Sequence, residues 1–391
     1  MLLSQPVLQG IRDAHARQLA HFSPRSDKKP GKTPTDSDPD SDVVTLEDIL
    51  QWINDHPEAI RAAKDAQCTS QSPDTPNWNT IFFAFIESTA VYFRKETEIV
   101  KAIKAARDGD FDTAANHIKE AQDDIDKVAE ALDCKFVQLC ENPDDTSFDG
   151  SGAFCGLFVS NDTQKPFMGV TYKGTANPKE QNTDLQWEPV APNPPEVAWG
   201  ASMHGGFFEG LFGRFASEGH QVAFEVMLDQ LKRAYDDHGG NAMLHFTGHS
   251  LGGAYCTLAY GEFLRRQAES EFARYRFGDM YSLAAPRVCT GPFFQYVNSL
   301  TQAGGGKYLF RIVNSEDPVP TMPPPPPPLA DSALYPFVHV GGAWKLLEEG
   351  PQKMTDEPPP VPPQSILDAL LNAHYHGPKE YYANWQKTPH A

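Results

Sequence analysis

The sequence predicts an α/β protein: a central, mostly parallel sheet covered by helices, with a helical extension in front of it. Three observations carry this. Late in the chain, short apolar runs of strand character alternate with segments of helical period. Between Thr45 and about Glu141 the period is helical throughout. And "LHFTGHSLGGAY", residues 244 to 255, reads as a buried strand, a glycine-flanked turn and a helix in immediate succession.

Composition sets the outer limits. The chain has 391 residues, 40% of them hydrophobic, with 24 Phe, 13 Tyr and six Trp, so it is globular and can bury a large core. Acidic residues outnumber basic ones by 52 to 33, for a net charge of −19. That disfavours nucleic acid, or an anionic membrane held by charge, as a partner. The start, "MLLSQPVLQGIRDAHARQ", lacks the continuous apolar centre of a secretory leader. A cytoplasmic location is expected if the chain is complete, an extracellular one if a leader is missing. Six cysteines follow neither a dense disulfide framework nor a metal-ligand spacing and read as buried small hydrophobes. "NDT" at 161–163 is one glycosylation acceptor, relevant only to an exported chain.

Element by element, residues 1–44 read as a poorly ordered arm, since 23–43 are rich in Pro, Ser, Asp and Lys with little to bury. Residues 45–147 form the helical region. "TLEDILQWI" opens with Thr45 and Asp48 at capping-box spacing, and "DTAANHIKEAQDDIDKVAEALDCKFVQL" places Ile118, Ile125, Val128 and Leu132 on one helix face. Residues 148–391 hold the sheet. "AFCGLFVS" and "KPFMGVTYKGT" look like adjacent strands. "AMLHFTG", "MYSLAAP" and "YLFRIVN" are further buried strands with helices between them. Proline runs at 323–328 and 358–363 read as stiff surface connectors.

"GHSLG" puts Ser250 in a Gly-x-Ser-x-Gly turn. A sharp strand-to-helix bend strains the serine and projects its hydroxyl from the sheet, and Gly248, Gly252 and Gly253 give the clearance. A serine hydroxyl is a poor nucleophile without a base, and the base needs a carboxylate to hold its tautomer. On such a fold the order is Ser, acid, His. "YLFRIVNSEDPVP" ends a buried strand in Glu316 and Asp317. Asp317 is preferred because the following "PVP" stiffens its turn, with Glu316 as the alternative. Asp279 precedes its strand and belongs to the wrong end of the sheet. His339, His374 and His376 remain equal candidates for the base on physics alone, while His390 lies at a frayed end.

Residues 148–391 resemble the class 3 lipases, the fungal lipase-like branch of the α/β-hydrolases. "VTYKGT", "MHGGF", "FTGHSLGGA", "SLAAPRV", "RIVNSEDPVPTMPP" and "FVHVGGAWK" occur in the family's order. The resemblance implies Ser250 as nucleophile, Asp317 as acid and a C-terminal histidine as base. "HYHGPKEYY" fits best with His376 and Tyr381, with His374 the competitor. It also implies an oxyanion hole from the N–H groups of Leu251 and Thr175, and structural roles for His204 and His339. Lys173 stands where the family more often has Arg, which removes a planar fork of donors from that loop. The family's lid position, residues 176–200, has an apolar face of Leu185, Trp187 and Val190 only. Prolines 178, 189, 192, 194 and 195 oppose a long helix there.

The resemblance implies a serine carboxylic-ester hydrolase, first a lipase acting on acylglycerols and second a feruloyl-type or other soluble-ester esterase. The reading from a different class is a non-catalytic scaffold on the same fold. No metal or organic cofactor is called for. The expected partner is a small ester or lipid, with at most transient contact with a lipid interface.

Overall fold

The computed structural model describes residues 3–20, 43–141, 154–174, 189–213, 222–267, 272–302, 307–322, 337–354 and 373–389. Its frame is an eight-stranded sheet in the order β1 (Cys134–Glu141), β2 (Phe154–Ser160), β3 (Phe167–Tyr172), β6 (Met243–His249), β7 (Arg276–Leu283), β9 (Leu309–Asn314), β11 (Gly342–Leu347) and β12 (Gly350–Met354). The five strands from β3 to β11 run parallel, and antiparallel pairs close both edges. A small second sheet joins β10 (Phe337–Val338), β8 (Cys289–Thr290), β5 (Met203–His204) and β4 (Pro189–Val190). This is the α/β-hydrolase type of fold.

Parallel strands need helices on both faces, and their side chains are then apolar on both. Alternate residues divide accordingly. Leu157, Val159, Leu244, Phe246 and Met280 enter one core, beneath α1 (Gln5–Leu19), α7 (Gly205–Phe212), α8 (Ala223–Asp237) and α9 (Leu251–Arg266). Phe154, Phe158, Phe167, Tyr281 and Ile312 enter the other. That second core is covered by α2 (Leu46–Asp55), α3 (Pro57–Asp65), α4 (Trp78–Ala90), α6 (Phe111–Ala131) and the C-terminal helix Pro378–Trp385. Every residue of α4 is buried, the polar Asn79, Thr80, Glu87, Ser88 and Thr89 included, so the helix is covered on all sides. Trp385 stacks on Phe82 of α4 at 3.9 Å between ring centroids, so the C-terminal helix and α4 share one aromatic cluster. Full burial of each such ring contributes about 2 kcal/mol.

Two expectations change. Residues 5–19, read as part of an unordered arm, form α1. Pro6 sits in its first turn, where a missing N–H costs nothing, and Leu8, Ile11, Ala16 and Leu19 are buried. Its His15 Nε2 reaches the Gln138 carbonyl at 2.9 Å. The helical region also gives up its last stretch: α6 stops at Ala131, Asp133 turns left-handed at φ 53°, and β1 joins the main sheet. "CKFVQL" carries side chains for two cores, a period-2 pattern that the long helical run before it conceals. The remaining arm, residues 21–42, and both proline runs lie outside the described residues.

All six cysteines are buried thiols. The capping box at Thr45 and Asp48 is formed, with both reciprocal hydrogen bonds. Among the described residues no helix is long and apolar enough to cross a membrane.

Candidate active site

Ser250 sits between β6 and α9 with φ 60° and ψ −130°, left-handed backbone that an L-residue adopts only under strain. The glycines around it explain why the bend can form. A Cβ on Gly248 would collide with the Gly252 carbonyl, and one on Gly252 with the Tyr172 carbonyl of β3. The Ser250 N–H donates to the Leu283 carbonyl at 2.9 Å, which ties the bend to β7. Leu251 is the first residue of α9, so its N–H has no acceptor within the helix. Thr175 lies outside the described residues. Its neighbour Gly174 packs on the bend, where an added Cβ would come within 3.2 Å of the Ser250 Cβ.

Asp317 follows β9, its N–H closing a turn on the Asn314 carbonyl at 2.8 Å. Its buried carboxylate accepts from the Val319 N–H at 3.0 Å and from the Tyr381 hydroxyl at 2.7 Å. His376 Nδ1 lies 3.1 Å from each carboxylate oxygen. That contact puts the imidazole proton on Nδ1 and leaves Nε2 with its lone pair. Nε2 is buried and makes no hydrogen bond in the structure. Tyr381 comes from the C-terminal helix and itself accepts the Asn314 N–H at 3.0 Å. Burial and the Asp317 charge push its phenol above the usual range, so it remains a donor.

The other candidates separate. His374 is exposed, with its ring 4.0 Å from Tyr375. His339 is buried, its Nε2 2.7 Å from the Pro320 carbonyl; burial and the nearby Arg311 and Arg287 depress its pKa. Glu316 points outward and pairs with Lys345 at 3.1 Å. Asp279 lies within β7, where its carboxylate accepts from the Ser70 and Tyr308 N–H groups and the Tyr281 hydroxyl. His204 is buried against Phe207, ring centroids 3.9 Å apart, and burial pushes its pKa down to about 4. Lys173 is buried with its Nζ 3.6 Å from Glu96, and burial lowers its pKa. His390 and the lid positions Leu185 and Trp187 lie outside the described residues, and Val190 is half-buried in β4.

Two residues near the bend carry no signal in the sequence. Tyr92 lies in the 3-10 turn Val91–Phe93 after α4, and its hydroxyl lies 3.1 Å from His249 Nδ1. His249 Nε2 in turn lies 3.1 Å from the His376 carbonyl. Among the described residues, Glu98, His117 and Glu120 bring possible metal-ligand atoms within 4.8 Å of one another. They lie on α5 (Glu96–Arg107) and α6, and Lys101 already occupies Glu98.

Residues 169–326 match the family model described as lipase (class 3). The secreted mono- and diacylglycerol lipase 1 of Fusarium solani is 29% identical over 178 residues, 45% of each chain. The chloroplastic phospholipase A1 PLIP2 of Arabidopsis thaliana is 30% identical over 104 residues, 27% of this chain and 13% of that one. The chain therefore spans less than half the length of these curated relatives. Lipase II from Rhizopus niveus superposes with a TM-score of 0.45 at 18% identity, covering 70% of this chain and 84% of that one. The family match takes in most of β3, the Ser250 bend and Asp317, and over residues 169–326 the chain is similar to the class 3 lipases.

Proposed function

We propose that the protein is a serine carboxylic-ester hydrolase that acts on acylglycerols through Ser250, His376 and Asp317. The observation that carries the reading is the bare Nε2 of His376, whose ring is oriented by Asp317 and whose backbone is hydrogen-bonded to the residue next to Ser250.

In this mechanism Nε2 takes the proton of the Ser250 hydroxyl as the oxygen attacks the ester carbonyl. The imidazolium is stabilised by Asp317, which stays ionised. The N–H groups of Leu251 and Thr175 receive the oxyanion. The imidazolium then protonates the leaving alcohol, and an acyl group is left on Ser250. Water, deprotonated by the same nitrogen, releases the acid and restores the enzyme.

The acylglycerol assignment draws on the family and on the mono- and diacylglycerol lipase among the relatives. Prolines 178, 189, 192, 194 and 195 within the lid position favour a second reading, an esterase for soluble esters. A panel of short-acyl, long-acyl and aryl esters, assayed on both sides of the solubility limit, separates the two. A rate increase as the substrate aggregates supports the lipase, and its absence with fast turnover of dissolved esters supports the esterase. Ser250→Ala is expected to lower kcat at least about 10⁴-fold. Full activity in that variant, or failure of a fluorophosphonate to label Ser250, ends the reading and favours a non-catalytic scaffold.

A further inference from the structure

We propose that Tyr92 is a positioning residue: its hydroxyl fixes the His249 tautomer that holds the backbone of His376, and the same oxygen packs against Gly174. The proposal rests on the reading of Ser250 and His376 as a catalytic pair. Tyr92 comes from the helical layer, outside the residues that match the family model.

A neutral imidazole has one donor and one acceptor nitrogen. His249 Nε2 faces the His376 carbonyl, which only accepts, so the proton is on Nε2 and Nδ1 must accept. The Tyr92 hydroxyl at 3.1 Å is the donor it needs, with the His249 carbonyl at 3.3 Å as a second acceptor. In the opposite tautomer the Nε2 lone pair would face the lone pairs of the His376 carbonyl. Burial and the neighbouring His376 both depress the pKa of His249, which opposes the doubly protonated form. His376 is thus held at two points, its carbonyl by His249 and its ring by Asp317. The Tyr92 oxygen also packs against Gly174, where an added Cβ would collide with it, so one hydroxyl lies against both the histidine turn and the strand end that leads to Thr175. Lys173 lies over the Tyr92 ring, its Nζ 6.0 Å from the centroid.

The test uses the full chain and a water-soluble p-nitrophenyl ester. Tyr92→Phe is expected to lower kcat about tenfold and leave KM within about twofold, because the hydroxyl orients the base and does not touch substrate. His249→Ala should lower kcat as well. Because Tyr92 acts largely through His249, adding Tyr92→Phe to it should cost no more than about a further threefold. The nitrogen-15 shifts of His249 give a readout independent of turnover: an unprotonated, hydrogen-bonded Nδ1 and a protonated Nε2 in the parent, with the Nδ1 signal displaced in Tyr92→Phe. Unchanged kcat in Tyr92→Phe, multiplicative losses in the double variant, or unmoved His249 shifts would each overturn the proposal. Retained activity in Ser250→Ala would instead overturn the reading beneath it, and the His249 shifts would still decide whether Tyr92 sets the tautomer.

Discussion

Two histidine–carboxylate pairs occupy different depths of the same sheet. His376 and Asp317 meet at the carboxyl ends of the strands; His245 of β6 and Glu87 of α4 meet at 2.6 Å in the middle of it, both wholly buried. Glu87 Oε1 and His245 Nδ1 have no hydrogen-bond partner, and burial raises the pKa of the carboxyl. Gly169 leaves room for the carboxyl, where a Cβ would collide with it, and the rings of Phe167 and Tyr281 flank the imidazole. The chemistry available to each pair is therefore set by what lies beyond the second ring nitrogen. Oriented by Asp317 at the strand ends, a lone pair is a candidate base. Sealed between helix and sheet, the same pair is a device that registers α4 on β6, assisted by the Thr247 hydroxyl on the Ala84 carbonyl at 3.0 Å. Removing one partner of such a pair is costly even where the intact pair adds little stability.

The sharpest way to break this comparison is to neutralise each carboxylate. Asp317→Asn is expected to lower kcat for a soluble ester about 10³- to 10⁴-fold, since Asn offers His376 the wrong partner for its tautomer. Glu87→Gln, which keeps an acceptor for His245, should leave kcat within about twofold. Equal losses from the two variants would erase the distinction. A smaller effect follows from deleting the buried carboxyl. Glu87→Ala leaves the His245 N–H unsatisfied beside a cavity and should cost about 3 kcal/mol in urea unfolding. Turnover per folded molecule should be preserved.

The smallest effect concerns a third buried carboxyl. Burial raises Asp279 to about 6, against its three hydrogen-bond donors. A folded-state pKa above the unfolded one adds stability that is complete below about 3.8 and disappears as pH rises through about 6. Asp279→Asn removes that dependence. Its deficit relative to the parent, read from urea midpoints, should be larger at pH 4 than at pH 7, and a deficit that grows with pH would contradict the assignment.

Much of the candidate site was legible because its signals are local. Gly248, Gly252 and Gly253 answer to steric needs within a few residues of Ser250, and Asp317 stands just past the end of a visible strand. The candidate base was less legible: His374 and His376 are two residues apart in one turn, and only the resemblance favoured His376. In the structure one ring is exposed and the other lies against Asp317. Tyr92 gave no sign, because "AVYFRKE" looks like the end of any apolar helix. α1 was concealed by the polar stretch after it, and β1 by the helix before it.

The amino-acid order by itself determined the alternation of strand and helix, the bend at Ser250 and the position of an acid downstream, because backbone sterics and hydrophobic period act over short distances. Packing alone decided which histidine meets Asp317, which carboxylate pair is sealed away and which helices close the second face of the sheet. Those outcomes depend on burial and hydrogen bonding between residues far apart in the chain, and no local pattern encodes them.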